Sequence, residues 1–306
     1  MHKFGHLHCN VDAQRGCAPH KPVLLLSLIQ CFQYCVYNTN YITLPPELVQ
    51  AFRFNWKQLV TTKHACHFTY PFIYLASEGF WFLQPKPGFE KSIRNSAWMT
   101  SSIRHIEAAL EFVVIDDELS LLLQDKSSRK ELSFAILNKY FPNTKNQFLP
   151  SADFLQNGIE QLSSPTTAGL QNADNEDEIY VRGGIFKKLI PQIYNNTCAI
   201  SRARSNSISA TLSMVDACHI VPFSESHDDS VGNGIALCPN LHRAFDRGLI
   251  SISDDYTVLV SKGLVEDSSS PFNLSQFNGK PILLPYTEQL YPSLENLATH
   301  RRRFGF

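Results

Sequence analysis

The run DACHIVPF (216–223), followed by VGNGIALCPNLHRAFDRGLIS (231–251), constrains this chain more than any other feature. Residues 213–221 read as a β-strand that ends near His219, and a polar loop of Ser, Glu, His and Asp follows. Gly232-Asn233-Gly234 reads as a tight turn into a second strand over 235–238. Asn240 is placed to cap a short helix over 241–247, which Gly248 closes. The expected unit is strand, loop, strand, helix. His219 lies on its first arm, and His242 and Asp246 share a helix face at i, i+4.

Taken singly, a His at a strand end is usually structural, and a His–Asp pair on a helix is usually a surface ion pair. Together they suit phosphodiester hydrolysis. A neutral imidazole titrates near working pH and can take a proton from water. A divalent ion held by the helix can stabilise the charge that builds on the phosphorane and on the leaving 3′-oxygen. An Asn between the strands can fix the loop that aims the base. Cys198, Cys218 and Cys238 lack the paired CxxC spacing of a structural zinc site, so buried packing is the expectation for them.

The order His219, Asn233, His242, with separations of 14 and 9 residues, resembles the HNH (ββα-metal) nuclease family. HIVPFSE, NGIALCPNLHRAFDRGLIS and the upstream Cys198-Ala199-Ile200-Ser201 look like its bacterial restriction-type branch. The resemblance implies His219 as general base, Asn233 as the loop-orienting residue and His242 as a metal ligand. Many relatives carry Asp or His immediately before the base, where this chain has Cys218. On an extended strand Asp216 points to the same side as Cys218, and Asp246 matches a further helical ligand of colicin-type relatives. The implied cofactor is Mg²⁺ or Mn²⁺ on His242 with Asp246 or Asp216, completed by waters.

At 306 residues the chain is long enough for two domains, and 43% hydrophobic with 18% charged residues excludes wholesale disorder. A net charge of −1 excludes a histone-like, globally basic binder. Its distribution is uneven: 14 basic against 11 acidic residues in 1–144, 1 against 6 in 145–178, and 12 against 11 in 179–306. Those three stretches are the expected domain, acidic flexible linker and domain of an α+β protein. No apolar run approaches the roughly 18 residues of a membrane span, and the N-terminus lacks a signal-peptide core. A cytoplasmic protein with its eight cysteines reduced is therefore expected. In the first domain, 23–29 predicts a helix buried on every face, and Pro45-Pro46-Glu47 opens another. Residues 72–75 and 79–83 read as short aromatic strands, and 103–141 as a helical bundle. An amphipathic helix is expected over 181–194, and Arg301-Arg302-Arg303 reads as a solvated tail.

APHKPVLLLSLI (18–29) with HFTYPFIYLASEGFWFL (67–83) resembles the sulfur-binding domain of phosphorothioate-dependent, type IV restriction endonucleases, in which that module precedes an HNH domain. A sulfur in place of a non-bridging phosphate oxygen is larger, more polarizable and more weakly hydrated, so its reader needs a small apolar cup beside cations and amides. Tyr70, Pro71 and Tyr74 are the expected cup, and Arg15, His20 and Lys21 the expected positive charge. The resemblance implies a modification-dependent endonuclease of double-stranded DNA, acting as dimers or in repeated encounters. A reader of methylated or hydroxymethylated bases and a non-catalytic DNA-binding protein are the alternatives.

Overall fold

The structure, a computed structural model, describes residues 7–8, 11–12, 14–148, 162, 176–204, 214–267 and 272–306. Most of the expected linker lies outside the described residues. The chain forms two compact units, one of residues 1–152 and 172–181, the other of 153–171 and 182–306. Among the described residues no helix is long and apolar enough to cross a membrane.

The first unit is built around α1 (His20–Gln33), whose run from Pro22 to Phe32 is buried. An apolar residue on every face requires a partner on every side, and α1 packs against α2 (Pro46–Leu59), α3 (Thr69–Tyr74), α6 (Asp117–Gln124) and α7 (Lys126–Tyr140). Pro46 opens α2 at a first-turn position, where a missing N–H costs nothing. A short hairpin, β1 (Val11–Asp12) with β2 (Gly16–Cys17), precedes α1. Cys17 is disulfide-bonded, so the expectation of eight free thiols does not hold there.

Two assignments need correction. Residues 72–75, read as a strand, lie in α3 and the 3₁₀ turn Leu75–Glu78. Pro71 sits in the first turn of α3 and is tolerated there, while the Trp81 indole N–H donates to the Phe72 carbonyl at 2.8 Å. The helical period buries Phe72 and Ile73 and places Tyr70 and Tyr74, four apart, together on the exposed side. The second correction is β5 (Leu110–Ile115), a β-branched run inside the stretch read as wholly helical. It is the central strand of an antiparallel sheet between β3 (Tyr41–Ile42) and β4 (Trp81–Pro85). The helices α4 (Ser96–Thr100) and α5 (Ile103–Ala109) lead into it. The first unit is thus α+β through a sheet that the sequence reading only half saw.

Helix α8 (Glu176–Ile193) begins inside the stretch expected to be linker. In the second unit its buried Ile185, Phe186, Leu189 and Ile190 support a hairpin of β6 (Asp216–His219) and β7 (Gly234–Leu237). The register pairs His219 with Gly234, Cys218 with Ile235 and Asp216 with Leu237. The part of the expected strand at residue 213 lies outside the described residues. A one-turn helix, α9 (Phe223–Ser226), follows β6, and α10 (Pro239–Asp246) follows β7. Cys238, not Asn240, is the N-cap of α10, because Pro239 takes the first helical position and no side chain caps it. A second hairpin, β8 (Ile250–Ile252) with β9 (Val258–Val260), and α11 (Leu294–Phe304) complete the unit.

The basic triplet is not a tail. It lies on α11, where Arg301 donates to the Ile252 carbonyl at 2.7 Å and pairs with Asp254, and Arg303 pairs with Glu225. His300, on the same helix, is buried against Phe245, with ring centroids 3.7 Å apart. Its Nε2–H donates to the Phe245 carbonyl, so Nδ1 accepts from Ser251. Burial holds this imidazole down at about 4, against the opposing hydrogen bond to Phe245.

Gly234 is required for space rather than for a turn. Its φ of −122° suits any residue, but a Cβ there would lie 2.4 Å from Ile190 Cδ1 and 2.9 Å from the Phe186 ring. Gly234→Ala is expected to destabilise the second unit by about 1–3 kcal/mol through overpacking, read as a lower denaturant midpoint. An unchanged midpoint would show that Ile190 and Phe186 can yield without cost.

Candidate active site

His219 is the last residue of β6, and two neighbours fix its ring. Phe186 stacks on it with centroids 3.9 Å apart and planes 6° from parallel. Asp229, buried in the polar loop, lies 2.9 Å from Nε2. A carboxylate accepts, so a neutral His219 donates Nε2–H and carries its lone pair on Nδ1. The side chain is about one-quarter exposed, open enough to meet solvent.

Asn233 is fully buried and holds the loop between the strands. Its Oδ1 accepts from the Val221 N–H at 2.9 Å, and its Nδ2 donates to the carbonyls of Val221 at 2.9 Å and Asp228 at 2.8 Å. Its own carbonyl accepts from Ile220 N–H. One side chain thus ties both ends of the loop, and the residue after its last contact is Asp229. The sequence reading missed Asp229 and Phe186. The loop is full of polar residues, and nothing in its spacing marks the one that reaches back to the imidazole.

Consecutive side chains leave a strand on opposite faces. The thiol of Cys218 therefore turns from the Phe186 side toward α10, where its Sγ lies 3.8 Å from Asp246 Oδ1. On α10, His242 stands between two half-exposed carboxylates: Asp246 Oδ2 is 3.4 Å from Nε2 and Asp216 Oδ2 is 3.7 Å from Nδ1. One donor atom each from Cys218, His242 and Asp246 lie within 4.8 Å of one another, a group of three that fits a small cation. Asp216 reaches His242 but is not part of that triad. The sequence reading treated Cys218 as a departure from the family pattern and expected buried packing for it, not a place among the donors. Burial, and after it the Asp246 carboxylate, push the Cys218 thiol up.

Cys198 and Cys238 face one another beside Ser201, whose N–H points at Cys198 Sγ over 3.4 Å and whose hydroxyl is 3.9 Å from Cys238 Sγ. The hydrogen bond between the thiols holds Cys198 down at about 5 and pushes Cys238 up. Neither belongs to a three-donor group among the described residues.

In the first unit, Arg15, His20, Lys21, Tyr70, Pro71 and Tyr74 all line one cavity of about 670 Å³, with His64 and His67 among the other walls. Its electrostatics differ from expectation. Lys21 is paired with the nearly buried Glu78 and also donates to Ser77 at 3.1 Å. Burial pushes the Glu78 carboxyl up, but its hydrogen bonds from Lys21 and His8 outweigh that and leave it below the usual range. His20 donates to the Ala65 carbonyl at 2.9 Å and packs 4.5 Å from Trp56. Burial, opposed by that hydrogen bond, holds its imidazole at about 4 and therefore neutral. Two of the three expected cations are thus offset or absent.

Residues 198–253 match the model of the HNH endonuclease family. No curated protein matches the chain. Among solved structures, a modification-dependent restriction endonuclease, TagI, aligns at 20% identity with a TM-score of 0.31, over 40% of this chain and 38% of that one. The alignment spans well under half of that protein's length, and a likeness this loose carries no weight beyond its record. The family match falls on the strand, loop, strand and helix that hold His219, Asn233 and His242, so it is residues 198–253 of this chain that are similar to the HNH endonuclease family.

Proposed function

We propose that the protein is a modification-dependent restriction endonuclease whose first unit binds phosphorothioated double-stranded DNA and whose second hydrolyses phosphodiesters near the mark. The nuclease half rests on one arrangement: an imidazole at the end of β6 oriented by a buried carboxylate, and a three-donor group made by Cys218 of that strand with His242 and Asp246 of the facing helix. His219 takes the proton of a water through Nδ1, and Asp229 stabilises the imidazolium that forms. The water oxygen bonds to phosphorus as the bond to the 3′-oxygen breaks. Cys218, His242 and Asp246 would hold a divalent cation such as Mg²⁺ or Mn²⁺, with Asp216 against the far side of His242. Such an ion, when bound, supplies positive charge for the phosphorane and the leaving oxygen. Asn233 acts through the loop and touches none of the reacting atoms.

The sulfur half is supported by the cavity. Tyr70, Pro71 and Tyr74 line it beside a neutral His20 and an internally compensated Lys21. A wall with little free positive charge favours the more weakly hydrated of two anionic groups, because strong hydration is costly to remove. Arg15 lines the same cavity and is the proposed contact of the phosphate oxygens. Tethering both units on one chain raises the local concentration of the nuclease around the mark. One centre per chain then calls for a homodimer or two encounters to cut both strands.

The test pairs identical duplexes with and without one stereodefined phosphorothioate, measuring binding to the full chain and then Mn²⁺- or Mg²⁺-dependent cleavage. At least about tenfold tighter binding to the sulfur duplex is expected, equivalent to about 1.4 kcal/mol, with Tyr70→Ala reducing the preference. Equal affinities sink the sulfur assignment and leave the nuclease. A preference for a methylated or hydroxymethylated duplex moves the mark to the base.

A further inference from the structure

We propose that Cys218 is a thiolate ligand of the nuclease's cation and that it shifts the site's preference from Mg²⁺ toward borderline transition ions such as Zn²⁺ and Co²⁺. The inference rests on the nuclease reading of this site and deepens it. It starts from spacing. A tetrahedral ion with bonds of about 2.3 Å to sulfur and about 2.0 Å to nitrogen or oxygen holds its donors about 3.3–3.5 Å apart. Octahedral Mg²⁺, with bonds of about 2.1 Å, holds them about 3.0 Å apart. Here Cys218 Sγ is 3.8 Å from Asp246 Oδ1, and His242 Nε2 is 3.4 Å from Asp246 Oδ2. These two separations run to the two different oxygens of Asp246 and both exceed the octahedral figure, and one donor atom from each of the three residues lies within 4.8 Å of the others.

Donor chemistry points the same way. A set of one sulfur, one imidazole and one carboxylate suits Zn²⁺ or Co²⁺, whereas Mg²⁺ selects oxygen and keeps its waters. A buried cysteine serving only as packing gains nothing from facing a carboxylate. Yet Cys218 is fully buried on a strand whose register turns its Sγ to Asp246 on α10. The strand fixes the sulfur and the helix fixes the other two donors, so the three sit on rigid elements rather than on the loop. Metal binding removes the thiol proton to solvent as the metal–sulfur bond forms.

The experiment titrates the reduced full-length protein with Co²⁺ without oxygen and records the near-ultraviolet thiolate-to-cobalt charge-transfer band. Cys218→Ser and His242→Ala are each expected to abolish the part of the band that belongs to this site. Any contribution from Cys198 and Cys238 stays constant across these variants and cancels in the difference. Competition with Zn²⁺ is expected to show at least a tenfold loss of affinity in Cys218→Ser, with Mg²⁺ binding little changed. Circular dichroism establishes that each variant is folded. If Cys218→Ser is not, Asp246→Asn, at an exposed side chain, must remove the band instead. Failure to bind Co²⁺, binding with no band, or a band unchanged in the variants overturns the proposal. Cleavage of DNA with Mn²⁺ is measured on the same preparation. Cleavage without the band sinks the thiolate ligand alone, whereas a band without cleavage sinks the nuclease reading alone.

Discussion

His219→Ala is expected to lower phosphodiester cleavage by about 10²–10⁴-fold, the usual worth of a positioned general base, while DNA affinity stays within about twofold. The size follows from how completely the ring is fixed. Phe186 stacks against its face at 3.9 Å, and Asp229 takes Nε2–H at 2.9 Å, leaving one nitrogen with a lone pair. An alanine supplies no proton acceptor, and a water in its place is a far weaker base. Binding should survive because the imidazole is one small, partly buried group among all those that meet the duplex. Single-turnover cleavage of a phosphorothioated duplex in excess Mn²⁺ reads the first quantity, and a filter or fluorescence titration reads the second. Asp229→Asn is expected to fall between wild type and His219→Ala. An amide that donates to Nε2 forces the proton onto Nδ1, so the imidazole presents the wrong tautomer. A rate for His219→Ala within tenfold of wild type would put the base elsewhere.

The nuclease motif was readable because each of its parts is local. A strand ending in His219, a second strand after Gly234 and a helix carrying His242 and Asp246 follow from short-range pattern, and the structure places β6, β7 and α10 there. The buried α1 was readable for the same reason: seven apolar or small residues in a row, 23–29, leave no polar face. The tyrosine-rich turn of α3 was misread because Tyr, Phe and Ile favour strands, and Pro71 hides a helix start as easily as a strand edge. β5 was missed because a short strand is stabilised by its two neighbours, β3 and β4, which are distant in sequence. The unread parts of the site are likewise contacts across the chain. Asp229 reaches back ten residues to His219, Phe186 arrives from α8, and Cys218 meets Asp246 across 28 residues. The pairing of Lys21 with Glu78 spans 57 residues and offsets a charge that the motif reading had assigned to the phosphate.

Asn233→Ala should show whether that loop is part of the machinery or only of the scaffold. Its fully buried side chain makes three hydrogen bonds, to Val221 N–H, Val221 C=O and Asp228 C=O. Alanine leaves these backbone groups without their partner, and each orphaned buried group costs about 1–3 kcal/mol. Water entering the vacated space recovers part of that, so a net loss of about 3–5 kcal/mol in the second unit is expected, read by chemical denaturation. Asn233→Asp should be at least as damaging, because it keeps Oδ1 but turns a second acceptor toward two carbonyls. Activity separates the two roles. Under conditions where the variant is folded, cleavage should still fall by about tenfold or more, because releasing Asp228 releases Asp229 and with it the orientation of His219. Combining Asn233→Ala with Asp229→Asn should then cost less activity than the two losses multiplied, since both act through the same imidazole. Wild-type cleavage by folded Asn233→Ala, or full additivity in the double variant, would reduce Asn233 to a structural bolt and leave His219 positioned by Phe186 and Asp229 alone.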